Sequence, residues 1–236
     1  MPKIKRVMLE ELKKRVFQAN LYLVKEGLVI HTWGNVSGRD KESGLIVIKP
    51  SGVPYEKMKA SDMVVLDADG KQFEGKYKPS TDSPTHVLLY KTYENVGGIV
   101  HTHSTYATSW AQAGKPIPPF GTTHADHFYG EVPCTRLLKD KEIASDYEIN
   151  TGKVIIEKIG KYDPLFVPSI LVNSHGPFSW GKDPESAVYN AVALEEIARM
   201  ALYTVLLGNT KPVDQSLLDK HFKRKHGDDA YYGQRR

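Results

Sequence analysis

Two imidazoles separated by one residue, His101 and His103, follow a short apolar run, Gly98-Ile99-Val100. On a β-strand alternate side chains share a face, so the two rings would project together, roughly 7 Å apart along the backbone. Both can then lean on one metal ion. Another imidazole, His175, stands in Asn173-Ser174-His175-Gly176, again just after a strand-like run, Ile170-Leu171-Val172. A carboxylate, Asp82, occurs upstream in Pro79-Ser80-Thr81-Asp82. Histidines with one carboxylate suit zinc or another borderline divalent cation, which points to a metal-dependent enzyme. Each member also has a plainer reading: His175 as a core ring that satisfies backbone groups, and Asp82 as the cap of a helix opening at Ser83-Pro84. Spacing alone does not bring Asp82 and His175 to the other two.

These residues need elements to carry them. From residue 7 to 25, apolar positions recur at Leu9, Leu12, Val16, Ala19 and Leu23, an amphipathic helix stopped by Gly27. Short β-rich pieces follow at 32–37, 45–48, 63–66 and 71–73, the last two flanking a hairpin turn, Asp67-Ala68-Asp69-Gly70. Ser83-Pro84 starts a helix running to 93; the His-bearing strand comes next, then a helix over 105–113 and a Pro/Gly-rich loop over 114–121. A helix over 150–159 precedes the His175 turn. Asp183-Pro184 caps the longest helix, with Ala187, Ala191, Leu194, Ala198, Ala201 and Val205 on its buried side and Gly208-Asn209 at its end. Asp214 caps a last helix to 225, and a polar, aromatic tail follows over 228–236. Hairpin-like strands mixed with helices, without strict βαβ alternation, give the α/β class: a central, mostly antiparallel sheet flanked by helices in three layers, α/β/α.

A chain of 236 residues is long enough for one substantial core, so a single domain over 1–236 is expected. With 40% hydrophobic and 25% charged residues, the composition is that of an ordinary soluble protein. The net charge of +4 is modest and the longest basic block is Lys223-Arg224-Lys225, which argues against nucleic acid but not against a small anion. One cysteine, Cys134, allows no internal disulfide and fits a reducing cytoplasm. No leader is read at the N-terminus, and no apolar stretch is long enough for a membrane span.

Longer strings go further than spacing. Thr32-Trp33-Gly34-Asn35-Val36-Ser37, Ile48-Lys49-Pro50-Ser51-Gly52-Val53 and Lys78-Pro79-Ser80-Thr81-Asp82-Ser83-Pro84-Thr85-His86 resemble the class II aldolase/adducin family. So do Gly97-Gly98-Ile99-Val100-His101-Thr102-His103 and Ser174-His175-Gly176-Pro177-Phe178. Gly121-Thr122-Thr123-His124-Ala125-Asp126 and the ending from Leu218-Asp219-Lys220-His221 to Tyr231-Tyr232-Gly233-Gln234 resemble, within it, the branch that inverts carbon 4 of a ketopentose phosphate. The resemblance implies one divalent cation per subunit, zinc by preference, on Asp82, His101, His103 and His175. It implies a phosphate pocket at Asn35, Lys49, Ser51, Gly52, Ser80 and Thr81, with Thr122, His221 and Arg224 also lining the site. It makes Asp126 the catalytic carboxylate and Tyr232 the catalytic phenol, the latter on a tail from about 226 that reaches a neighbouring subunit of a homotetramer. Related sugar-phosphate aldolases carry Glu where this chain has Asp82. The chain departs from the pattern at His127, where an aromatic residue is usual, and an imidazole there would perturb Asp126. Residues 157–169 match poorly and nothing is carried over from them.

The chemistry accounts for this set. The C4–H of a 2-ketopentose phosphate is not adjacent to the carbonyl, so direct proton abstraction leaves an unstabilised carbanion. Oxidation and re-reduction would need a nicotinamide, and no Gly-X-Gly-X-X-Gly follows a strand, so no such cofactor is expected. Retro-aldol cleavage between carbons 3 and 4, rotation of the aldehyde and re-addition inverts the centre instead. That route needs an electron sink at the carbonyl, acid/base groups on both faces, and an anchor for the phosphate. The hydroxyls and backbone N–H groups of Ser51-Gly52 and Ser80-Thr81, with the charge of Lys49, form such an anchor. His31, His86, His124 and His226 are expected to be structural or supporting; Trp33, Trp110 and Trp180 are expected in the core or at a subunit contact.

Overall fold

A computed structural model describes residues 3–160, 162–226 and 230–231. Seven short strands form one sheet: β1 (Gly34–Arg39), β2 (Ile46–Ile48), β3 (Val64–Leu66), β4 (Gln72–Glu74), β5 (Gly98–Thr102), β6 (Ser169–Leu171) and β7 (Pro177–Gly181). Their order is β4-β3-β2-β1-β5-β7-β6, and every pairing is antiparallel. Alternation along the strands splits their apolar side chains between two faces. Ile46, Ile48, Val64, Leu66, Ile99, Ile170 and Phe178 pack with residues of α2 (Ser83–Thr92) and α6 (Tyr147–Ile159), such as Leu89, Tyr90, Ile155 and Ile159. On the other face Val47 and Val65 meet Leu12 and Val16 of α1 (Lys3–Lys25), and Val36 and Val100 meet Leu23 of α1 and Val188 of α7 (Pro184–Leu206). Leu171 lies against α3 (Thr105–Gln112) and α7. The three layers are helix, sheet, helix. Single-turn helices α4 (Thr122–Ala125) and α5 (Asp140–Ile143) sit in connections, and α8 (Gln215–His226) follows α7.

Asp183 starts α7 as expected, its carboxylate accepting from Ser186 N at 2.8 Å, with Pro184 in the first turn. A Cβ on Gly98, at the start of β5, would collide with the backbone oxygen of Asp183, so the sheet and the N-terminus of α7 meet backbone to backbone. The expected strand at 32–37 lies two residues later, because Trp33 N bonds back to Ile30 O in a turn. Strand β7 was not expected: it opens on Pro177 and closes on Gly181, and the alternation of Phe178 and Trp180 about Ser179 spans a single period, yet Ile99↔Trp180 and His101↔Phe178 pair in register. Helix α6 begins at Tyr147, before the expected 150, after Asp146 takes a left-handed conformation at φ 46°.

Both rims of the sheet are short. All of β4 is exposed, beside Lys71 and Lys76. On β6 the backbone of Leu171 is already satisfied, its N–H by Pro133 O and its carbonyl by Thr135 N.

Candidate active site

His101 at the C-terminal end of β5 and His103, one residue past the strand, bring their rings together, Nε2 to Nε2 at 3.2 Å, as continued alternation requires. The turn after β6, with Ser174 at φ 60°, swings His175 back over them. Ring nitrogens of His101, His103 and His175 all lie within 4.8 Å of one another, a spacing that one cation can bridge. Ring centroids are 4.7 to 5.1 Å apart across the three pairs, in edge-on arrangements. His101 Nδ1 donates to Pro177 O at 2.9 Å, which leaves Nε2, 3.2 Å from His103 Nε2, free to ligate. Burial, reinforced by the neighbouring rings His101 and His103, pushes His175 down to about 3. Burial and His101 also lower His103. Neutral imidazoles are the ligating form, so this donor set fits a divalent cation of the zinc class.

Asp82 reaches the same cavity from the start of α2 but is not a member of the ring cluster. Its Oδ2 accepts from Asn35 Nδ2 at 2.6 Å, and Ser80 Oγ stands 3.4 Å away. Burial opposes its ionisation, but the fields of His101 and His86 and the Asn35 amide outweigh that and hold the carboxyl below its usual range. Beneath it His86 is fully buried, Nδ1 2.7 Å from Ser37 Oγ, which in turn lies 2.8 Å from Tyr90 OH. Burial pushes His86 down to about 3, so it supports the wall as a neutral ring.

The cavity encloses about 490 Å³, and Ser51, Gly52, Ser80, Thr81 and Asn35 line it together with the imidazoles and Asp82. Ser51 N bonds to Lys78 O and Ser80 N to Lys49 O, both at 3.0 Å, so the two hydroxyl-bearing loops are tied side by side. Lys49, expected in the phosphate pocket, does not line this cavity. Its ammonium is buried under the loop, 3.3 Å from Pro50 O, 3.2 Å from Val53 O and 4.7 Å from the Tyr55 ring centroid. Desolvation lowers it to about 8. Trp33, expected in a core or at a subunit contact, is 55% exposed on the cavity wall, whereas Trp180 is fully buried.

Asp126 belongs to a separate pocket with His127, Tyr189, Lys225 and His226, which shares no residue with the imidazole cavity. Arg224 grips its carboxylate at 3.1 and 2.8 Å, His221 Nδ1 lies 3.0 Å from Oδ1, and Lys225 Nζ 3.4 Å from Oδ2. Burial disfavours the charge, but Arg224 and His221, then Lys225, hold Asp126 below the ordinary carboxylate range. His127 turns away: Nδ1 donates to Thr123 O at 2.8 Å and Nε2 lies 3.1 Å from Tyr189 OH. Thr122 lines another cavity, of about 240 Å³, with Phe120, Met200 and Thr204. Tyr232 lies outside the described residues. Sequence reasoning passed over Tyr147, whose hydroxyl is 3.4 Å from His175 Nδ1; it precedes the helix expected at 150, and nothing in its neighbours marks it.

The model of the Class II Aldolase and Adducin N-terminal domain matches residues 14–202. The chain belongs to the class II aldolase and adducin family. A relative named L-ribulose-5-phosphate 4-epimerase UlaF, from Salmonella paratyphi A (strain ATCC 9150 / SARB42), is 58% identical over 96% of this chain and 100% of its own length. The protein of that name from Salmonella typhi matches equally, at 58%. A solved L-fuculose 1-phosphate aldolase superposes with a TM-score of 0.77 at 24% identity, covering 91% of this chain and 95% of that one. YgbL from Klebsiella pneumoniae, described as a putative aldolase/epimerase/decarboxylase, gives 0.69 at 24%, over 89% of this chain and 97% of its own. At such identities these neighbours speak for the fold. Among the described residues no helix is long and apolar enough to cross a membrane.

Proposed function

We propose that this chain is an isomerase that interconverts L-ribulose 5-phosphate and D-xylulose 5-phosphate by opening and re-forming the bond between carbons 3 and 4. The observation that carries the reading is the cluster of His101, His103 and His175 in a cavity whose walls also hold the hydroxyl- and glycine-bearing loops 51–52 and 80–81. Relatives named for that activity, 58% identical along nearly the whole chain, supply the substrate. Zinc is the metal of the reading; His101, His103 and His175 would hold it, with Asp82 supplying a carboxylate from the wall of the same cavity.

A divalent cation held there would supply Lewis acidity to the substrate carbonyl. The chain's own residues do the rest. The hydroxyls of Ser51, Ser80 and Thr81 and the backbone N–H groups of Gly52 and Thr81 bind the phosphate, the N–H groups of Ser51 and Ser80 being spent on Lys78 O and Lys49 O, and Asn35 spans Ser80 and Asp82. Lys49 acts from beneath, adding a buried positive charge to that loop. Asp126, kept ionised by its cationic neighbours, accepts the proton of the C4 hydroxyl as the C3–C4 bond opens. The aldehyde turns about its anchored phosphate, the C3 carbon re-adds to its other face, and the Tyr232 phenol returns a proton to the C4 oxygen. His221 and Arg224 flank this carboxylate, whereas Thr122 faces the neighbouring cavity.

The separation of the Asp126 pocket from the imidazole cavity within one chain supports active sites shared between copies; a cytoplasmic homotetramer is the assembly of this reading. The deciding experiment incubates the zinc-loaded protein with L-ribulose 5-phosphate, with and without a chelator, and follows D-xylulose 5-phosphate. Conversion abolished by the chelator is expected. A zinc-loaded protein that gives no pentulose product refutes the reading, and net accumulation of cleaved aldehyde would make the chain an aldolase instead.

A further inference from the structure

Helix α3 connects two of the clustered rings. His103 stands just ahead of its first residue, Thr105, and Ser174 N, next to His175, donates to Ala111 O in its last turn at 2.9 Å. The helix is in turn fastened to α7. Half-buried Glu195 accepts the backbone N–H of Tyr106 on Oε1 at 2.8 Å and that of Ala107 on Oε2 at 2.9 Å. Further along, Trp110 Nε1 donates to Ala198 O at 3.0 Å. First-turn N–H groups have no partner within their own helix, and a carboxylate there also meets the positive end of the helix dipole. Ser104, the residue in the N-cap position, makes no side-chain cap bond, so the cap of α3 comes from another helix.

His103 is the ring that needs this support. His101 is oriented by Pro177 O and His175 faces Tyr147 OH. Among the described residues nothing hydrogen-bonds Nδ1 of His103, and the residue is exposed. Its ring direction is therefore inherited from the backbone that leads into α3.

We propose that Glu195 is a positioning residue for the metal centre: by clamping the first turn of α3 it fixes the backbone that carries His103 and, through Ala111, the turn that carries His175. This rests on the metal-centre reading above. A carboxylate that merely caps a helix would stabilise the fold and leave cation binding untouched, so the two roles separate by measurement.

Metal-free protein is titrated with zinc against a chromophoric chelator, for the wild type and for E195Q, E195D and E195A, and each is also loaded with cobalt(II) to record its ligand-field spectrum. E195Q keeps the size and one acceptor, and its zinc affinity is expected to fall about tenfold, the low end of the loss seen when a group supporting a metal ligand is removed. E195A is expected to lose more, E195D to recover part, and the cobalt spectra of E195Q and E195A to change. Unaltered affinity and spectra with only a lower melting temperature would overturn the proposal. Should E195A fail to fold, E195Q decides. A wild-type chain that binds no zinc removes the centre itself, a failure of the functional reading that the variants are not needed to detect.

Discussion

At the scale of single residues, the His-X-His pair was legible because side-chain alternation on a strand is a geometric certainty once the strand is granted. The fate of Lys49 was not: whether an ammonium points into a pocket or folds under its own loop depends on Tyr55, six residues on, and on carbonyls whose direction no sequence pattern reports. Nor does spacing tell that Asp82 faces Asn35, a pairing made between the central strand and the residue ahead of α2. Asp126 carries the firmest chemical test. Asp126→Asn should retain metal, since its pocket is apart from the imidazoles, yet lower turnover at least ~100-fold, as for a lost acid/base group. Steady-state rates with metal content measured on the same sample check it. A second test concerns His86 and His124, pushed by burial to about 3 and about 4 from the ordinary 6.5. The unfolded chain binds protons at these rings below pH 6.5 while the folded chain refuses them, so stability is full above that pH and declines as pH falls toward 4. Denaturant melts across that window should show the midpoint dropping; an unchanged midpoint would contradict the buried neutral rings.

At the scale of elements, composition and period found most of the helices and the first strands, because amphipathic spacing and turn residues are local signals. Strand β7 escaped for the opposite reason: in Pro177-Phe178-Ser179-Trp180-Gly181 one period of alternation is hemmed in by a proline and a glycine, and the segment becomes a strand by pairing between β5 and β6. The same lack of local signal hid the first turn of α6, which Asp146 opens with a left-handed φ. The contact between β5 and the entry to α7 makes a prediction at this scale. Gly98→Ala would drive a methyl into the Asp183 carbonyl, and relief requires moving a strand or a helix start, so a loss of about 1–3 kcal/mol is expected. Because β5 carries His101 and leads directly into His103, weaker metal binding should accompany it. Asp183→Ala, which removes only the cap, should cost about 1 kcal/mol in urea unfolding and leave metal affinity intact.

At the scale of the whole molecule, the two pockets within one chain ask for a partner. Mixing subunits of an inactive His103→Ala variant with those of an inactive Asp126→Asn variant should restore part of the activity, because a shared site can draw its imidazoles from one copy and its carboxylate from another. Mixtures no more active than either parent would assign both halves to a single chain. Deleting the residues after His226 should likewise abolish turnover without stripping the metal. How such copies meet is narrowed by the rims of the sheet. One ends in a three-residue strand, fully exposed and set between lysines, and at the other the Leu171 peptide groups are already taken. Neither offers a template for a foreign ribbon. Copies that do assemble would meet through helical surfaces and loops, and a concentrated solution of this enzyme should resist seeding into fibrils, a property unrelated to catalysis that the sheet's blunt ends confer.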